Sequence, residues 1–495
     1  MPPDLASQQL DEETPLLRSQ GSAIAKKSKT PLPWRQFSML LVLQIAEPLT
    51  AQVISPFAPQ LIRDIGITHG DEALVSFYVG LLHSLFFATE ALTIFHWSRL
   101  SDYVGRKPVL LIGLFGLSLS MICFGLSTTF WGLVISRCLS GALNGNIGIV
   151  KSMTAEITDS TNMAQGYALL PLAWSSGTTL GPLIGGELAR PADRFPHIFG
   201  RSEFLKTYPY FLPCVVPAAV SALTWIVIFI FLQETRTPQV TISQLISPWK
   251  KRKAAASSIP QSPSASSSSS NLAAIPINNK PLPIRALFVR RVLVAIGSYA
   301  GIALIDIAIR TVQPVFYATP ISLGGLGLDP PTIGTILAAQ GIVNGLVQPL
   351  IFPKLHDLMG ARHLFLFAVA GALPMIALFP VMNTLARLSG VHSGVWSLVG
   401  LQVALLSFTS FAYGITFMYI SASSPNRASV GATNGLAQMV VSVMRAVGPA
   451  AANSAFSISM ERQYLGGDMV YCVMAGMVFM AMGVGVLLPC CVWND

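Results

Sequence analysis

WSRLSDYVGRKPVL, residues 97–110, lies between two apolar runs that are each long enough to cross a bilayer. It gathers Arg99, Asp102, Arg106 and Lys107 around Gly105 in a connection too short to be a domain. The two apolar runs therefore fold back on each other as a hairpin. A carboxylate set among cations at the water-facing end of such a hairpin suits a joint that moves. The composition agrees, because 52% of the 495 residues are hydrophobic and only 11% are charged, where a soluble domain carries about a quarter charged residues. Stretches of about twenty apolar residues match roughly 30 Å of hydrocarbon, and a backbone without water must satisfy itself, which favours helices. The fold class that follows is an all-α membrane protein.

From Gln36 the chain reads as twelve transmembrane spans in two six-helix, pseudo-symmetric bundles. The first six are expected near 36–58, 73–97, 108–127, 130–151, 164–188 and 209–232. The last six are expected near 288–316, 331–353, 362–382, 396–420, 429–456 and 469–492. Residues 1–35 read as a disordered tail without a cleavable signal peptide. Within the tail, Asp11 to Leu17 fits either an acidic dileucine sorting signal or plain solvated chain. The halves are 36–232 and 288–495. Between them, 233–287 carries Lys250-Lys251-Arg252-Lys253 and a Ser/Pro-rich run, the composition of a flexible linker.

The net charge of +9 does not call for nucleic acid, because the bases cluster in short loops on one side. With both termini cytoplasmic, 21 of the 31 Lys and Arg residues fall in cytoplasmic segments, 7 in outer segments and 3 within spans. That asymmetry supports the orientation. The six cysteines have no metal spacing and lie mostly inside spans, so neither a metal site nor a disulfide framework is expected. The halves also echo each other. His356-Asp357-Leu358-Met359-Gly360-Ala361-Arg362 sits between spans 8 and 9 as Ser101 to Lys107 sits between spans 2 and 3, and Gly448-Pro449 echoes Gly181-Pro182. Internal repeats of this kind are expected of a two-bundle transporter with a midplane site.

Leu100, Ser101, Asp102, Gly105, Arg106 and Lys107 resemble the loop joining helices 2 and 3 of the major facilitator superfamily, G-x-L-(A/S)-D-x-x-G-R-(K/R), with Ser98 where glycine is usual. In span 5, Gly177, Gly181, Pro182, Gly185 and Gly186 match every fixed position of the G-x-x-x-G-P-x-x-G-G motif of its drug:proton antiporter branch. Arg137, Gly141 and Gly145 resemble that branch's R-x-x-x-G-x-x-x-G element. Ala46-Glu47-Pro48 and the Tyr208 to Pro213 entry to span 6 are similar to fungal zinc-induced-facilitator-like transporters. The resemblance implies the major facilitator fold and secondary transport, with Asp102, Gly105, Arg106, Lys107, Asp357, Gly360 and Arg362 forming the two conformational-switch loops. It also implies export of a small organic molecule against protons.

The residues themselves supply candidates for coupling. At about 1.5 Å per residue, Glu47 and Glu90 fall near the midplane. There desolvation favours a neutral carboxyl and a nearby arginine favours an ionised one, and competition between the two is what a reversible proton carrier needs. Proton or cationic-substrate binding is favoured for Glu47, while Glu90 stands evenly between that and a fixed ion pair. An arginine in hydrocarbon costs at least about 2.5 kcal/mol without a partner or a wet cavity, so Arg137 is expected to couple with Glu47 in the same half, with structural pairing as the other reading. Asp306 and Arg310 are four residues apart and can pair on one helix face, and Arg445 is expected to face a cavity. Pro182 is expected to bend span 5 against the opposite half.

The sequence thus reads as a proton-coupled efflux transporter working by alternating access, not an enzyme and without a cofactor. Its partners are a small organic substrate, protons and the bilayer, with no nucleic acid. A monomer in the plasma or vacuolar membrane is expected. A proton-coupled importer is the alternative, and a non-transporting membrane sensor is a third reading. An ATP-driven pump is disfavoured because no G-x-x-x-x-G-K-[ST] phosphate loop occurs.

Overall fold

The computed structural model describes residues 30–158, 162–235, 284–425 and 430–490. The dileucine stretch, the basic run 250–253 and most of the linker lie outside the described residues, as do the side chains of Arg99 and Asp102.

The first half contains α1 (Trp34–Gln52), α2 (Glu72–Val104), α3 (Arg106–Gly125), α4 in two pieces (Phe130–Leu143 and Asn146–Ile157), α5 (Met163–Leu188) and α6 (Phe211–Phe231). The second contains α7 (Arg290–Ala318), then α8 and α9, which share the stretch Pro330–Ala370 before α9 continues as Ala372–Ser389. After these come α10 (Ser393–Thr409 and Phe411–Ser423), α11 (Val430–Arg462) and α12 (Met469–Val486). Among the described residues, nine stretches are long and apolar enough to cross a membrane. One of them, Pro330–Ser389, is 60 residues long and turns at Gly360, so it supplies two rods. With α1 and α5 in their expected places, the helices make the twelve rods of the two bundles.

The hairpin at residues 97–110 is tighter than a loop. α2 continues to Val104 and α3 begins at Arg106, so the reversal is made at Gly105, with φ +105° and ψ 162°. Gly360 does the same between α8 and α9, with φ +73° and ψ 164°. Only glycine adopts such angles without a steric penalty, so the sequence echo is also an echo of backbone. Several helices overrun their expected spans, α2 by seven residues to Val104 and α11 by six to Arg462. Hydropathy marks where the hydrocarbon ends, whereas a helix can continue into water. Span 4 is the opposite case, since one expected helix is broken at Asn144 and Gly145.

The halves meet where α2 packs along α11 and α5 along α8. Taking the end that carries Trp34 and Gly105 as the near end, the hydrogen bonds joining the halves among the described residues run from the middle to the far end. Ser175 Oγ donates to Gly341 O at 3.2 Å, Ala450 N donates to Ser84 Oγ at 2.8 Å, and Ser76 Oγ donates to Asn453 O at 2.9 Å. At the rim, Arg63 of the short helix Ala58–Ile65 is held by Glu72 at 2.9 Å and donates to Ala318 O at 2.9 Å. This is a far-side-closed conformation.

Span 5 divides its residues between two neighbours, so of the Gly181-Pro182 bend expected against the opposite half only Pro182 reaches it, and Gly181 meets α1 instead. Gly177, Gly181 and Gly185 press on α1 of their own half, where a Cβ on Gly185 would stand 1.8 Å from Val53 O. Gly186 faces the other half, and a Cβ there would fall 2.4 Å from Pro330 O and 2.9 Å from Gly334 Cα. Pro182 O likewise lies against Gly334. Small residues let backbones approach this closely, and here they serve both a fixed contact and a contact that must open.

Candidate functional site

Six charged residues, Glu47, Glu90, Lys151, Asp306, Arg310 and Arg445, collect at the middle of the interface between the halves. From the first half come Glu47 of α1 and Glu90 of α2, 5% and 7% exposed. Pro48 follows Glu47 in the sequence and leaves the Gln44 carbonyl without its helical donor, while Thr50 Oγ1 donates to the Glu47 carbonyl at 2.7 Å. Glu47 faces Glu90, Lys151, Arg445 and the amide of Asn144. Lys151 sits on the second piece of α4 and stays open to the space between the halves.

From the second half come Asp306, Arg310 and Arg445. Arg310 Nε donates to Asp306 Oδ1 at 2.8 Å, the pairing expected from their spacing, and Tyr413 OH donates to Asp306 Oδ2 at 3.1 Å. Arg445 of α11 faces Tyr413, Tyr299, Glu90 and Asp306, so it looks across the interface at the glutamates. Each wall thus carries mixed charge, two carboxylates with one ammonium on one side and two guanidinium groups with one carboxylate on the other. A solute entering from the near end would meet hydrogen-bonding groups of both signs.

Farther out, Gln52, Ser55, Thr178, Arg310, Gln313, Gln340 and Asn344 line a small polar cavity of about 40 Å³ beneath the far-side closure. Gln313 Nε2 donates to Tyr317 OH, which donates to Gln402 Oε1 at 2.6 Å.

Arg137 departs from expectation. Its guanidinium stacks over Phe86, 4.8 Å from the ring centroid, and faces His83 and Cys214 within the first bundle. It is not among the charges that face Glu47; Arg445 and Lys151 hold that place. The cause is position along α4: helix α1 packs on the second piece, Asn146–Ile157, whereas Arg137 lies on the first. Lys151 escaped the sequence reading because span 4 was taken to end there, which made it a loop base. Asn144 escaped because a neutral amide carries no charge signal, although the Asn144-Gly145 pair is a legible helix breaker.

At the near end, Arg106 is 5% exposed and donates to Glu156 Oε1 at 3.0 Å and to Ser101 Oγ at 2.6 Å. Glu234, just after α6, accepts from the backbone N–H groups of Arg106 at 2.8 Å and Lys107 at 3.0 Å, the free donors of the α3 terminus. Thr235 also bonds Glu156. The start of the linker is therefore fastened to the switch loop through Glu234 and to Glu156, the partner of Arg106, through Thr235. In the second half, Asp357 is exposed with His356 at 3.6 Å, and Arg362 Nη1 lies 3.3 Å from Cys490 Sγ. Among the described residues no cluster of His, Cys, Asp and Glu is arranged to hold a metal ion.

Two bundles, paired glycine reversals and a charged midplane define a membrane transporter, and residues 40–449 match the family described as Major Facilitator Superfamily. The chain belongs to that superfamily. It is 31% identical to the major facilitator-type transporter psiT2 of Psilocybe cyanescens, covering 95% of this chain and 94% of that one. It is 30% identical to the efflux pump azaK of Aspergillus niger, covering 94% and 92%. Zinc-induced-facilitator proteins of Arabidopsis thaliana are also relatives. A solved D-xylose-proton symporter shares the fold, with a TM-score of 0.64 at 13% identity over 92% of this chain and 98% of that chain.

Proposed function

We propose that the protein exports a small organic molecule in exchange for protons, with both termini in the cytoplasm and the halves 36–232 and 288–495 rocking about the midplane. The observation that carries this reading is the buried pair Glu47 and Glu90 facing Arg445 from across the interface. A carboxylate there can hold a proton or balance a cation, but not both at once. In the far-side-closed form, loss of the protons toward the near end leaves charge that an organic solute with a cationic or donor group can satisfy. When the near end closes, protons arriving from the acidic side neutralise the carboxyls, weaken that hold and release the solute outward. The empty, protonated carrier then returns. Desolvation makes each neutral form tolerable during the swing, while Arg445 and Lys151 keep the ionised form within reach.

The span 5 motif and the relatedness to an efflux pump support export as the direction. The two reversals at Gly105 and Gly360 would act as the joints, with Glu234 and Glu156 fastening Arg106 in this state. The test is purified protein in vesicles under an imposed pH gradient, screened with a panel of organic amines and neutral aromatic compounds. Accumulation on the acidic side, reversed when the gradient is reversed, is expected. Transport that ignores the pH gradient refutes coupling.

A further inference from the structure

α4 stops at Leu143 and restarts at Asn146, with Asn144 at φ −83°, ψ 81° between the pieces. Such a break frees backbone groups at mid-membrane, which must find partners. They do: Asn144 N donates to Gly141 O and Gly145 N to Leu143 O, each at 3.1 Å. Ala142 O accepts from the indole Nε1 of Trp97 on α2 at 2.7 Å. Trp97 also lies close against the bend, since a Cβ on Gly145 would stand 2.5 Å from Trp97 Cβ. The break is thus a braced feature with its own partner on a neighbouring helix.

The bracing leaves the Asn144 side chain out of helical register and aimed at the Glu47 carboxyl. Its amide is 0% exposed and lies beside the Glu47 carboxyl, and in this conformation the contact falls short of full hydrogen-bond geometry. A buried amide whose hydrogen bonds are incomplete lowers stability, and each such group calls for a reason.

We infer that Asn144 is a positioning residue for Glu47, presented by the break in α4 and held in place by Trp97. Its N–H donates to the carboxyl more strongly when that group is ionised than when it is neutral. The inference rests on Glu47 being the proton carrier proposed above. The charged groups that face Glu47 are Glu90 on α2, Lys151 on α4 and Arg445 on α11. Asn144 adds a short-range, uncharged term to theirs. It can discriminate between the two protonation states without tying the carboxylate into a permanent ion pair.

The test needs no substrate. Full-length protein in vesicles is titrated with infrared detection of the protonated carboxyl stretch, and the Glu47 band is identified as the one lost in Glu47→Gln. Asn144→Leu, similar in volume, should move the midpoint of that band alkaline by about one pH unit, tenfold in proton affinity. The same variant should melt higher than wild type, because it removes an unsatisfied amide. Trp97→Phe keeps the ring and loses the bond to Ala142 O, and it should shift the midpoint the same way by less. Asn144→Ala serves if the leucine variant does not fold. A band that vanishes in Glu47→Gln but stays in place in folded Asn144 variants overturns this inference alone. No titrating band assignable to Glu47 overturns the carrier reading beneath it.

Discussion

Replacing Gly186 with alanine should open the far side. A Cβ there would stand 2.4 Å from Pro330 O and 2.9 Å from Gly334 Cα, both backbone atoms of the opposite half that cannot rotate away. Overpacking by a single methyl typically costs about 1–3 kcal/mol. This contact exists only while the far side is closed, so the cost falls on one state alone. It translates to a shift of roughly 5- to 150-fold in the ratio of closed to open forms. The assay is a distance distribution between spin labels on Arg201 and Glu461, exposed far-end positions in the two halves. Gly186→Ala should move the population to longer distances. Gly185→Ala is the control: its Cβ would meet Val53 O at 1.8 Å inside one half, so it should lower the melting temperature without favouring either state. An unchanged distribution in folded Gly186→Ala would refute the assignment of this contact to the moving interface.

Arg445→Gln should move the pH profile of transport alkaline and lower the maximal rate at least about tenfold, because an ionised Glu90 loses the cation across the interface. Transport against pH in vesicles measures it, and an unmoved profile counts against the interfacial role. Glu234→Ala leaves the N–H groups of Arg106 and Lys107 without their acceptor. By analogy with lost helix caps it should cost about 0.5–2 kcal/mol, read as a lower melting temperature. Equal melting of variant and wild type would mean that water replaces the carboxylate fully.

Much of the architecture was legible because it follows from solvent and geometry. Twenty-residue apolar runs and the two glycine-bearing hairpins already announced an all-helical fold of long rods that reverse at Gly105 and Gly360. Gly105 and Gly360 were visible because only glycine makes that turn. Asp306 and Arg310 were paired correctly because a four-residue spacing on a helix is a local rule. What required coordinates was the rotation of one helix against another. Arg137 and Lys151 both lie on α4, and no periodicity reveals which of them reaches Glu47 once the helix breaks between them. Likewise, one motif in span 5 serves α1 with three glycines and α8 with a fourth, and sequence spacing alone does not name the neighbour. Asn144 carried no charge to attract attention, yet its burial beside the Glu47 carboxyl makes it conspicuous in three dimensions.

The central claim is that Glu47 carries the proton that drives export. Its most direct measurement compares wild type and Glu47→Gln in vesicles, using a compound that wild type accumulates under an imposed pH gradient. Two quantities are read on each sample, proton flux that depends on the compound and exchange of the compound at equal concentration and pH on both sides. Glu47→Gln mimics the neutral form permanently, so loss of both the proton flux and the uphill accumulation is expected, with exchange retained only at higher concentrations of the compound, where Glu90 still holds it. Uphill accumulation by Glu47→Gln equal to that of wild type would contradict it.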